Sequence, residues 1–172
     1  AARQYLPDDS VPAAMFDFVK RQYEAGLPWE ATRDAIYQRY QVEQRDGYDV
    51  TSRGLYCNGC FAAGINFAAS LVSLFYGEGD FKETLRLAVL AGWDADNPAA
   101  TWGGLLGYTL GRQAIEDQFG QSLSDQFNIH RTRRGFPNDG IDSFCNMARM
   151  GIEVSQRVKA NYHAEYQAKA VK

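Results

Sequence analysis

Phe61-Ala62-Ala63-Gly64-Ile65-Asn66-Phe67-Ala68-Ala69-Ser70-Leu71-Val72-Ser73-Leu74-Phe75-Tyr76 is the stretch that decides the fold class. Small and apolar side chains occupy nearly every face of a helix drawn through it, which predicts a helix over residues 56–76 that is buried on most sides and central to a bundle. The stretch is interrupted by Asn66, Ser70 and Ser73. It is also shorter than the roughly 20 apolar residues of a membrane span, so no transmembrane helix is predicted.

Outward from this centre the pattern stays helical. Val11, Met15, Phe16, Val19 and Tyr23 lie at helical spacing behind Ser10 as N-cap and Pro12 in the first turn, with Gly26 as the stop. A second amphipathic segment, 28–40, follows the Gly26-Leu27-Pro28 punctuation, making an αα-hairpin. Residues 41–54 are polar, carry the turn signal Asp46-Gly47, and read as a loop. Asp80 with Glu83 is a capping-box pattern opening a helix that runs to Gly92.

Beyond Gly92 the chain reads Trp93-Asp94-Ala95-Asp96-Asn97-Pro98, an acidic loop. Asn97 as N-cap and Pro98 at the first helical position predict a helix to Leu110. Gly103, Gly104 and Gly107 on its face cost about 1 kcal/mol each in helix propensity, so a close neighbour is expected there. The small residues Ala62, Ala69 and Ser70 of the central helix make it the expected neighbour. Short helices are predicted at 113–119 and 123–127, a long one at 142–166, and no strand pattern is found. The class is all-α, a compact multi-helix bundle in a single domain over residues 1–172.

Composition narrows the function. A chain of 172 residues with 45% apolar side chains can bury a core without disulfide staples. A net charge of -3 gives no broad basic field, so neither nucleic acid nor a membrane surface is an expected partner. Cys57 and Cys60 form one Cys-x-x-Cys with no second pair to complete a zinc site, and read as two thiols or one local disulfide. The amino end has no initiator Met and no basic-then-apolar leader, and is expected to be a processed or excised end. Localisation stays open between cytoplasmic and periplasmic for a soluble chain.

Asp94 and Asp96 are the chemistry-bearing residues. Two carboxylates in an extended turn can converge, and the helix N-terminus beside them contributes only about 0.3–1 kcal/mol to holding an anion. A hard divalent cation is their natural partner. Taken alone, Asp94, Asp96 and Asn97 also fit an ordinary capping turn.

The surroundings shift that balance. Asn66, Tyr76-Gly77-Glu78-Gly79-Asp80-Phe81, Leu87-Ala88, Gly92-Trp93-Asp94-Ala95-Asp96, Ala99-Ala100, Gly103 and Gly107, in this order, resemble the carboxy-terminal signature of the ADP-ribosylglycohydrolases, over residues 58–111. The resemblance implies an all-α fold like the C-terminal half of that family's domain, with two Mg2+ ions in a cleft that takes ADP-ribose or an ADP-ribosylated substrate. On this chain it makes Asp94 and Asp96 metal ligands and sets Asn97, as amide ligand or as cap, where the family has Ser or Thr. The family's upstream Thr-Asp-Asp-type motif has no counterpart here, since Asp8-Asp9 lies too near Asn66. The other ligands are therefore expected on a missing N-terminal segment or a second polypeptide, with this chain supplying half of the site.

Arg131, Arg133 and Arg134, beside Phe136, suit a pyrophosphate or adenine face, and equally a solvated loop pairing with Asp139 and Asp142. Trp93 is a candidate for stacking on a ribose or base, whereas Trp102 reads as core. The expected activity is hydrolysis of an ADP-ribosyl glycosidic bond. The rival is a non-catalytic structural or ligand-binding relative of the same fold, as J1-type crystallins suggest.

Overall fold

The computed structural model describes residues 2–49, 59–129 and 134–170, with side chains up to residue 162 in the final helix. Among these the secondary structure is overwhelmingly helical, as the all-α reading expects. The sequence reading treats 1–172 as one domain; the contacts cluster into two compact units, Ala1–Gly120 and Gln121–Lys172, and each is described by itself.

In the first unit, α1 (Val11–Glu24) starts where the reading places it, with the Ser10 hydroxyl accepting from the Ala13 amide at 3.3 Å. Its apolar stripe buries Met15 and Val19 completely. The second segment departs from the expected single helix: α2 (Trp29–Ile36) widens into a π-helical turn, Tyr37–Val42. That turn carries Tyr40 and Gln41 inward. The Asp46-Gly47 turn forms with both residues at positive φ, pinned by a bidentate Arg39–Asp46 pair at 2.8 and 2.9 Å.

The central helix α3 (Ala63–Gly77) is shorter than predicted; the expected first turns at 56–58 lie outside the described residues. Ile65, Ala68, Ala69, Leu71 and Val72 are buried against Met15, Val19, Ile36 and Tyr40. Each large apolar side chain so buried contributes roughly 1.5–3 kcal/mol. Glu78 and Gly79, both at positive φ, reverse the chain into α4 (Phe81–Ala91). The Asp80 carboxylate accepts from the Glu83 amide at 2.7 Å. Only this half of the capping box forms, because the Glu83 carboxylate is engaged by Arg86 at 2.6 and 2.7 Å.

Helix α5 (Asp96–Leu110) corrects two expectations. It begins at Asp96 with Ala95 as N-cap, so Asn97 is not the cap and Pro98 is the third helical residue. A proline is tolerated there because the first four amides have no partner within the helix. The glycine face does not seat on α3 either. A Cβ at Gly103 would meet Leu85 of α4 at 3.3 Å and one at Gly107 would meet Ile115 at 3.4 Å, while Gly104 faces open space. The short helix α6 (Arg112–Phe119) matches the prediction closely.

In the second unit the expected helix at 123–127 is absent. Instead β1 (Gln126–Asn128) pairs antiparallel with β2 (Ile141–Ser143), Phe127 opposite Asp142. These strands are three residues each, too short for alternation to register in sequence. The last helix, α7 (Phe144–Ala170), follows directly.

Candidate functional site

The acidic loop between α4 and α5 is bent by two adjacent residues in unusual backbone conformations. Gly92 sits at φ 94, ψ -156, a region open essentially to glycine, and Trp93 at φ 54 is left-handed. A non-glycine residue held there costs on the order of 1–3 kcal/mol, so surrounding contacts must over-determine it. Two hydrogen bonds do so. The Trp93 indole N–H donates to Gln41 Oε1 at 2.6 Å, and the Asp94 amide donates to Asn66 Oδ1 at 2.9 Å. The turn closes when the Asn97 amide donates to the Asp94 carbonyl at 3.0 Å.

This geometry brings the Asp94 and Asp96 side chains into hydrogen-bonding proximity. The Asp94 carboxyl is consequently pushed above its ordinary value, first by that contact with Asp96 and then by desolvation and like-charge repulsion. No cation among the described residues offsets the pair. The sign for stability follows from linkage. A raised carboxyl binds its proton more tightly folded than unfolded, so the pair stabilises the fold in acid, and this is lost as pH rises through the folded value. Asp96→Asn is therefore expected to raise the midpoint of thermal unfolding at neutral pH and to flatten its dependence on pH above the ordinary carboxyl range. Melts from that range upward check it; an unchanged pH dependence would show that the two carboxyls do not interact.

Asp94 and Asn97 line a cleft of about 450 Å3 together with Phe61, Ala63, Asn66, Phe67, Ser70, Thr101 and Trp102. Asp96 is exposed, is not among these lining residues, and reaches the cleft through its contact with Asp94. The structure places the two tryptophans differently. Trp93 packs against the core cluster and does not line the cleft. Trp102 does line it, with its indole N–H donating to the Ser70 carbonyl at 2.9 Å. Arg131 and Arg133 lie outside the described residues. Arg134 is exposed in the second unit, beside Phe136 and Asp139. Cys60 is disulfide-bonded and Cys145 is free and exposed.

Sequence reasoning passed over Asn66, Gln41 and Thr101 as site residues. For Asn66 a signal existed: an amide on a helix otherwise apolar on all sides must find partners once buried.

The donor set is one of hard oxygens: two carboxylates, the Asn97 amide and the Thr101 hydroxyl. That chemistry fits magnesium. Among the described residues no group of three His, Cys, Asp or Glu side chains gathers at one point, so the acid pair is the whole of the carboxylate contribution found there.

The first unit is thus a helical scaffold that presents a pair of carboxylates at a cleft. The ADP-ribosylglycohydrolase family model matches residues 1–154, and the chain belongs to that family of hydrolases. Comparison with curated proteins and with solved structures gives no match. No helix among the described residues is long and apolar enough to cross a membrane.

Proposed function

We propose that the chain is part of a metal-dependent hydrolase that cleaves an ADP-ribosyl N- or O-glycosidic bond. The observation that carries this reading is the Asp94–Asp96 pair, uncompensated by any described cation, at a cleft wide enough for a sugar. Asp94, Asp96 and Asn97 would hold Mg2+, in a complete site of two ions. A bound divalent ion supplies charge stabilisation for a ribose hydroxyl and lowers the pKa of coordinated water.

The chain's own residues do the rest. Asp94 and Asp96 concentrate negative charge where the metal docks, and Thr101 and Asn97 offer neutral polar atoms along the same wall. Phe61, Phe67 and Trp102 supply an aromatic flank that can cover the flat face of a ring and exclude water.

Two carboxylates and an amide leave an octahedral shell incomplete, so the remaining ligands are proposed to come from a further segment or a second polypeptide. The test is release of ADP-ribose from arginine- or serine-modified peptides in Mg2+. The chain combined with the polypeptide carrying the other acidic residues is expected to turn over. The chain alone is expected to bind ADP-ribose without hydrolysing it. Tight binding with no turnover in the combined material would favour the non-catalytic relative, and hydrolysis at enzymatic rates by the chain alone would refute the shared site.

A further inference from the structure

Of the two side chains that hold the acidic loop, Asn66 and Gln41, Asn66 has three hydrogen-bond partners. Asn66 is 9% exposed and sits in the first turn of α3. Its Nδ2 donates to the Cys60 carbonyl at 2.7 Å and to the Ala62 carbonyl at 3.1 Å, and its Oδ1 accepts the Asp94 amide at 2.9 Å. The two donated bonds fix the amide plane, so Oδ1 can point only one way, toward the loop. The residue it catches is the one that follows the left-handed Trp93.

We infer that Asn66 is a positioning residue for the cation site, setting the backbone of Asp94 so that its carboxylate meets that of Asp96. This inference rests on the metal reading above. An alanine in its place would leave the Asp94 amide without its protein acceptor, and the strained Gly92-Trp93 bend would be held only through Gln41. The turn could then relax and let the two like charges move apart. Groups that orient metal ligands typically account for about 10–100-fold in affinity.

The test uses Mn2+ as the probe, read as paramagnetic broadening of the amide resonances of residues 94–97 in the wild-type chain and four variants. Asn66→Ala removes all three hydrogen bonds. Asn66→Ser keeps a hydroxyl that can donate one turn back to Ala62 but cannot reach Asp94, so the helix stays satisfied if the alanine variant folds poorly. Val19→Ala, buried on α1 and not among the cleft-lining residues, sets what lost stability alone does to the titration. Asp94→Ala tests the metal reading itself.

Both Asn66 variants are expected to weaken Mn2+ binding by about tenfold or more and to speed hydrogen exchange at the Asp94 amide, while Val19→Ala leaves the affinity unchanged. Wild-type Mn2+ affinity in the Asn66 variants, with binding abolished by Asp94→Ala, would overturn the role of Asn66 and leave the metal site standing. An equal loss in Val19→Ala would overturn it as well, by tracing the effect to global stability. Undiminished binding in Asp94→Ala would remove the metal reading and this inference with it.

Discussion

Replacing Asp94 and Asp96 together by alanine is expected to lower Mg2+ affinity about 100-fold, to below detection by calorimetry for a chain that binds the ion weakly to begin with. Each carboxylate is an ionised hard-oxygen donor, and deleting even a group that only orients a metal ligand costs about 10–100-fold, so loss of two direct donors is placed at the upper end. The mutation should at the same time stabilise the ion-free chain at neutral pH. It removes a repulsive contact that holds the Asp94 carboxyl above its ordinary value. Weaker binding with a higher melting temperature is a combination that a misfolded variant cannot produce. Equal Mg2+ affinity for the two proteins would sink the ligand assignment.

The second large effect is expected at Gly77, the last residue of α3. A Cβ built there would overlap the Thr84 hydroxyl and stand 2.7 Å from the Thr84 Cα, which is backbone and cannot rotate aside. Gly77→Ala must therefore push α4 off α3. Alanine gains roughly 1 kcal/mol in helix propensity, yet overpacking against a helix backbone should leave a net loss of about 3 kcal/mol and lower the melting temperature by about 10 °C. Gly104→Ala is the matched control. It lies in a helix with nothing within 4 Å of the added carbon, so it should be neutral or stabilising by up to about 1 kcal/mol. Equal melting temperatures for the two variants would show that the α3–α4 contact is looser than described. Because α4 leads directly into the acidic loop, displacing it should also disturb the Asp94 turn.

Much of the scaffold was legible because its signals are local. The Ser10 and Asp80 caps, the Asp46-Gly47 turn and the apolar periodicity of α1 depend on residues within one or two helical turns of each other, and each is found where the sequence puts it; the all-round apolar surface of α3 likewise marks it as central, though the helix starts later than expected. The π-helical widening at Tyr37–Val42 was not legible. It draws Tyr40 and Gln41 inward, and a period count over 28–40 reads that stretch as plain helix. The cap at Asn97 failed for a related reason. Asn–Pro is a strong local start signal, but the Asp94 amide is drawn to Asn66, 28 residues away, and the helix begins earlier as a result.

By itself, then, the sequence determined the helical class, the identity of the central helix, and the placing of two carboxylates just ahead of a helix. Each of these follows from propensity and spacing along a single segment. Tertiary structure alone decided which tryptophan faces the cleft, which helix the glycines of α5 approach, and that Asn66 and Gln41 hold the acidic loop. These depend on the rotation of one helix against another and on hydrogen bonds between residues 28 and 52 positions apart. Such contacts leave no periodic trace in the chain, because either partner would look the same in the sequence if it faced elsewhere.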